Sequence, residues 1–291
     1  MTKEIRPEDK KRIQPRRLKD YLSWLVALAI AGTLLYSVVT NPNYQWDVVA
    51  EYFTADTVIS GVGITLALTA VSMIGGSAIG LVLALMRDSK NRPIAAIAYG
   101  YTTFFRGTPV LVQLIFWFNL AALYPDLSLG PYEIDTNALI TPMTAAIIGL
   151  TLNEAAYMAE IIRGGFASVD KGQIEAADSL GMSFWTKLRA VLLPQIMPAV
   201  IPPTGNQLIS MLKGTSLVSV LGVADLLQSV QLIYATTYET IPLLIVASLW
   251  YLLLTLLLGI PQSMIERHYG RSTRRPAGAP RAPTQQQEVP A

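Results

Sequence analysis

The sequence predicts an all-α, polytopic membrane helix bundle of about six transmembrane helices, on three observations. Hydrophobic residues fill 52% of the 291 positions and charged residues only 14%, where a soluble domain averages about 25% charged. The apolar residues arrive in runs of about 20 that lack the polar stripe of a surface helix. Basic residues fall almost entirely in alternate connecting segments. With no cysteine and a single histidine, His268, disulfide frameworks, thiolate metal sites and a Ser-His-Asp triad are excluded. The formal net charge of +2 gives no footprint for nucleic acid.

Residues 1–20 form a basic arm, read as a solvated tail for most of its length, with anionic membrane lipid as the partner of any part that touches the surface, at about 1 kcal/mol per basic residue. Six candidate spans follow: Tyr21 to Thr40, Val58 to Met86, Ile94 to Leu123, Ala138 to Ile162, Ala199 to Leu221 and Ile241 to Ile265. Each reaches the roughly 20 residues that cross about 30 Å of hydrocarbon. The first exceeds the core of a secretory signal and reads as an uncleaved anchor. Residues 21–57 therefore hold an N-terminal span and an extracytoplasmic segment, 58–268 the membrane core, and 269–291 a disordered tail rich in Pro, Arg and Gln.

Of the 22 basic residues, 20 lie before the first span, between the second and third, between the fourth and fifth, or after the sixth. The opposite loops hold Asp47, Glu51, Asp56, Asp126, Glu133, Asp135, Asp225 and Glu239, with no Lys or Arg. Basic residues near span ends stay on the cytoplasmic side, so both termini are expected inside. The remaining two, Arg106 and Lys213, fall within apolar segments.

The loop of residues 163–198 is too polar to span. Asp170 and Gln173 have capping-box spacing, so a helix is expected from about Lys171, ending at Gly181, which tolerates a left-handed conformation. Ser183 is a second N-cap, and Phe184, Leu188 and Val191/Leu192 recur at helical spacing until Pro194 interrupts. On pattern alone this is an interfacial amphipathic hairpin.

Within it, Glu175-Ala176-Ala177, then Gly181, then Leu193-Pro194, resembles the EAA signature of permease subunits of ATP-binding-cassette importers, with Val191 in place of the usual Ile. Phe105-Arg106-Gly107-Thr108-Pro109 through Gln113, Ala156-Tyr157-Met158-Ala159-Glu160, Asn206-Gln207 and Leu212-Lys213-Gly214-Thr215-Ser216-Leu217 extend the likeness from about Val58 to Arg267, and resemble the polar amino acid branch. The first span and Asn41 to Asp56 lie outside it. The resemblance implies a type I importer in a bacterial cytoplasmic membrane. Its partners are an ATP-binding-cassette ATPase docked at Glu175, Ala176, Ala177 and Gly181, a second permease subunit, identical or paralogous, and an extracytoplasmic substrate-binding protein. The chain has no G-x-x-x-x-G-K-[ST] phosphate loop, so ATP belongs to the partner; the subunit is expected to be no enzyme and to hold no cofactor.

Ionisable groups at membrane depth are functional candidates by their cost. Arg106 sits at mid-depth if the third helix spans from Ile94, or near the headgroups if Ile94 to Phe104 runs along the interface. Asn153 and Glu154 fall near the middle of the fourth span, with Tyr157 expected on Glu154's face; Glu160 and Arg163 suit a local ion pair. Asn206, Ser210 and Lys213 form one polar stripe on the fifth span, with Gln207 beside it. The stripe lines a passage or packs an interface. The sequence reading places a zwitterion with its carboxylate at Arg106 or Lys213 and its ammonium at Glu154. Ser72, Gly76 and Gly80 form a small-residue track suited to packing within the chain, and Pro194, Pro198, Pro202 and Pro203 predict irregular first turns for the fifth span. The alternative class is a secondary carrier or channel without an ATPase; the helix of 171–181 argues against it, since a carrier needs no docking helix.

Overall fold

The computed structural model describes residues 18–129 and 132–270. Most of the basic arm and the tail from Arg271 lie outside the described residues. Helix α1 (Leu18–Thr40) is apolar all round, and none of its 21–40 stretch is buried. A bond from Trp46 Nε1 to the Val38 carbonyl, 3.0 Å, links it onward. Helix α2 (Trp46–Phe53) then places Val49 into a core shared with α3 (Asp56–Arg87) and the later helices α11 (Leu226–Thr237) and α12 (Thr240–Gly270). Trp250 on α12 fastens α2: its Nε1 donates to the Phe53 carbonyl at 2.8 Å and its ring stacks on Phe53 at 4.9 Å.

The third expected span is two helices, α4 (Arg92–Gly107) and α5 (Val110–Phe118). Pro109 has no N–H for the Phe105 carbonyl four residues back, so the ladder stops there. A short antiparallel hairpin, β1 (Asp126–Leu129) with β2 (Tyr132–Asp135), and the single turn α6 (Thr136–Leu139) lead into α7 (Pro142–Ala167). Among the described residues, α1, α3, α7 and α12 are each long and apolar enough to cross a membrane, and a bent pair, Trp185–Leu221 with Leu226–Thr237, qualifies as a fifth crossing at 45°.

Helices α3 and α7 run parallel and nearly touch. A Cβ on Gly76 would meet Glu154 Cβ at 2.7 Å, and one on Gly80 would meet Met158 Cβ at 2.7 Å and the Ala159 nitrogen at 2.9 Å. The small-residue track therefore packs within the chain. Gly149 on α7 similarly admits Leu114 of α5.

After α7 come α8 (Lys171–Ser179) and α9 (Phe184–Lys187). Asp170 caps α8 through the Gly172 N–H at 2.7 Å. The reciprocal half of the expected capping box does not form, because the Gln173 carboxamide oxygen accepts from Gln195 instead. Ser183 caps α9 through the Thr186 N–H. Pro194 does not interrupt the chain as expected: a π-helical turn over Leu188–Leu192 carries α9 directly into α10 (Leu193–Gly214). Prolines 194, 198 and 202 recur every four residues and so remove donors from one face; the wide turn absorbs the first, and Gln195 Nε2 reaches the Val191 carbonyl at 2.9 Å.

The break between α10 and α11 is a 3-10 segment, Thr215–Leu221, ending at Asp225. Asp225, expected in an outer loop, is fully buried in that segment; it caps α11 through the Gln228 N–H at 2.9 Å and accepts from the Tyr251 hydroxyl at 3.2 Å. A buried carboxylate needs such partners to offset its desolvation.

Candidate functional site

Two layers of polar groups lie inside this apolar frame. The first closes the bundle at the end that carries the 163–198 loop. Arg87, in the last turn of α3, donates to Thr102 Oγ1 at 3.2 Å, covers the Tyr99 ring at 4.6 Å and approaches Glu160 at 3.7 Å. Glu160 also accepts two bonds from Arg163, at 2.8 and 3.1 Å, so the expected i, i+3 pair forms. Arg106 lies one α4 turn beyond Thr102, its guanidinium 5.5 Å from the centre of the Tyr157 ring. Tyr157 is itself one turn from Glu160. Arg106 thus stands about 5 Å from this charge layer.

The second layer is built on α7 and α10. The Glu154 side chain is fully buried; Oε2 accepts from Gln207 Nε2 at 2.9 Å, and Oε1 has no hydrogen-bond partner among the described residues. Tyr157, three residues on, meets other neighbours than Glu154: its ring faces Arg106 of α4, while Glu154 meets Gly76 of α3 and Gln207 of α10; it also lies one turn along α7 from Asn153. Asn153 donates to the Phe105 carbonyl at 3.0 Å and to Gln113 Oε1 at 3.1 Å, which commits both its N–H groups.

On α10, Asn206, Ser210 and Lys213 are all exposed along one face, as their spacing required. Asn206 Oδ1 accepts from Gln262 at 3.2 Å, and Ser210 donates back to the Asn206 carbonyl at 3.0 Å. Among the described residues Lys213 has no salt bridge. Gln207, turned about 100° from Asn206, points away from this stripe to Glu154. Lys213 is therefore about 9 Å along α10 from the Glu154 contact.

At the loop, Glu175 and Ala176 are exposed while Ala177 is buried. Of the two alanines, only Ala176 is therefore accessible beside the carboxylate. Gly181 takes the left-handed conformation, φ +67°. Sequence reasoning passed over Leu180 and Trp185, which are 75% and 66% exposed on either side of that glycine. It also passed over Gln113, whose legible signal was an amide four residues after a helix-breaking proline in an apolar run.

Residues 76–271 match the family described as binding-protein-dependent transport system inner membrane component. The chain is 41% identical over 271 residues to the arginine transport system permease protein ArgU of Corynebacterium glutamicum, covering 91% of this chain and 85% of the relative. It is 39% identical over 211 residues to the arginine transport system permease protein ArtQ of Bacillus subtilis, covering 72% and 91%. The crystal structure of an amino acid ABC transporter with histidines is similar at a TM-score of 0.62 and 38% identity, covering 73% of this chain and 94% of that one.

Proposed function

Because the chain belongs to the family of binding-protein-dependent transport system inner membrane components and is a permease subunit of an amino-acid importer, we propose how it is oriented, assembled and used. Both termini and the 163–198 loop face the cytoplasm, on the charge asymmetry of 20 of 22 basic residues. A cytoplasmic ATPase docks at Glu175, Ala176, Ala177 and Gly181, a second permease subunit completes the passage, and an extracytoplasmic binding protein delivers the substrate. The subunit is a conduit and lever, with ATP bound and hydrolysed by its partner. Labelling a Ser183→Cys variant in intact cells tests the orientation: a membrane-impermeant maleimide should leave it unlabelled until the membrane is opened. Labelling from outside would reverse the topology.

The observation that carries the substrate reading is the exposed stripe Asn206, Ser210 and Lys213, with an ammonium that has no salt bridge among the described residues. Lys213 takes the substrate carboxylate, Asn206 and Ser210 supply neutral hydrogen bonds, and Arg106 guides the carboxylate at the cytoplasmic end. An α-ammonium, one carbon from its own carboxylate, does not reach Glu154 from Lys213. A long cationic side chain does, once the α3, α7 and α10 seam opens; Glu154 then receives it, with Gln207 and Asn153 holding the surrounding helices. L-arginine is accordingly the first probe and L-glutamine the neutral comparison.

Reconstituted with its ATPase and binding protein, the Lys213→Met importer should take up both amino acids about tenfold more slowly, the loss of one charged hydrogen bond. Glu154→Gln should slow arginine more than glutamine. Equal uptake by Lys213→Met and wild type, per assembled complex, would make the stripe a packing surface.

A further inference from the structure

The motif from Phe105 to Gln113 is not explained by sequence likeness alone, and its geometry has a physical logic. Pro109 removes the N–H that would bond the Phe105 carbonyl, and Thr108, outside both helices, has a carbonyl with no helical partner. In an apolar bundle such groups need other donors. Gln113, only 5% exposed, supplies them: its Nε2 lies 3.0 Å from the Phe105 carbonyl, 3.1 Å from the Thr108 carbonyl and 2.8 Å from Thr108 Oγ1. Asn153 of α7 adds a second bond to the Phe105 carbonyl and a bond to Gln113 Oε1. Thr108 Oγ1 in turn donates to the Phe104 carbonyl at 2.8 Å. The break is thus clamped from both sides, by α5 and by α7.

Arg106 lies inside the clamped segment. Its guanidinium meets Tyr157, one turn along α7 from Asn153 and on the same face. One face of α7 therefore fixes both the carbonyl of Phe105 and the side chain of Arg106, the next residue. We propose that Gln113 is a positioning residue for transport: with Asn153 it holds the α4–α5 break in the shape that presents Arg106 to the passage. The proposal rests on the reading of Arg106 as a pathway residue. Gln113 itself, buried beneath the break, does not touch substrate.

The test is a double-mutant cycle in the complete importer, reconstituted with its ATPase and binding protein. L-arginine uptake is measured at saturating loaded binding protein, per assembled complex. Gln113→Met keeps the size of the side chain and removes its donors; Arg106→Ala removes the group it is said to aim. Each should slow uptake by about tenfold or more, since small misplacements of a positioned group have effects of that order. The pair should be no slower than Arg106→Ala alone, because a residue acting only through Arg106 has nothing left to position. Losses that multiply in the pair would make Gln113 an independent packing residue and overturn the proposal. Normal uptake by Arg106→Ala would overturn the pathway reading itself, whereas slow Arg106→Ala with normal Gln113→Met would overturn only the clamp. If Gln113→Met does not assemble, Asn153→Leu, which removes the α7 side of the clamp and leaves the Gln113 Nε2 contacts in place, decides by the same cycle.

Discussion

Gly80→Val is expected to leave no assembled protein, whereas Gly63→Val, on the same helix, should be recovered at near wild-type yield. A Cβ at position 80 would sit 2.7 Å from Met158 Cβ, 2.9 Å from the Ala159 nitrogen and 3.0 Å from the Ala155 carbonyl oxygen. Two of these are backbone atoms of α7, so no side-chain rotation relieves the contact. Overpacking of a rigid core costs about 1–3 kcal/mol and sometimes more, and here the only response is to pry α3 from α7 along the seam that also seats Gly76 on Glu154. The penalty is a large share of the roughly 5–15 kcal/mol that separates folded from unfolded chains. Gly63 has nothing within 4 Å, so a side chain there meets no other part of this chain. Size-exclusion profiles of the detergent-solubilised variants provide the check. A monodisperse Gly80→Val peak at the wild-type position would mean that α3 and α7 are not packed this closely.

The long spans were legible because apolar length alone identifies a helix that crosses lipid. The interruption of the third was half legible. Gly107 and Pro109 mark a break, but the donors that make the break stable come partly from Asn153, 48 residues from Phe105, and no local pattern announces a pairing at that distance. Helix α2 was readable and missed: Trp46, Val49 and Phe53 recur at i, i+3, i+7, yet its acidic residues made the stretch look like a loop. The burial of Asp225 is hidden for a related reason. An acid in an outer segment carries no mark of burial, although Gln228 three residues later repeats the spacing of Asp170 and Gln173 that marks a helix start.

The site was legible where helical arithmetic suffices and obscure where it does not. Asn206, Ser210 and Lys213 fall within about 60° of one another around α10, and the structure exposes all three. On α7 the same arithmetic puts Tyr157 within one turn of both Asn153 and Glu154. What periodicity cannot supply is which neighbour each face meets. Glu154 has the sequence marks of a channel-lining charge, but its face of α7 meets Gly76 of α3 and Gln207 of α10, so the carboxylate is buried between those helices.

Gly181→Val should uncouple the importer while leaving the subunit inserted and assembled, and Gly181→Asn should transport nearly as well as wild type. The end of α8 is a complete Schellman motif: the Met182 N–H bonds the Ala177 carbonyl at 3.2 Å and the Gly181 N–H bonds the Asp178 carbonyl at 3.0 Å. It requires φ +67° at Gly181. No atom lies within 4 Å of where a Cβ would be, so the cost of substitution is conformational and not steric. For an L-residue that cost is about 1–2 kcal/mol, and greatest for β-branched side chains, while asparagine visits the region readily. Valine would therefore abandon the turn and swing α8 relative to α9, shifting exposed Leu180 and straining the Asp178 to Lys187 ion pair that braces the corner. Because this corner packs against little else, unfolding is not the expected outcome. Uptake and binding-protein-stimulated ATP hydrolysis should both fall by about tenfold, the factor that corresponds to displacing a docking contact worth about 1.4 kcal/mol. The discriminating result is the pair of variants: equal activity of valine and asparagine at 181 would show that the shape of the turn is immaterial to coupling, while loss in both with normal assembly would mean that the glycine is needed for close approach of the ATPase and not for its φ.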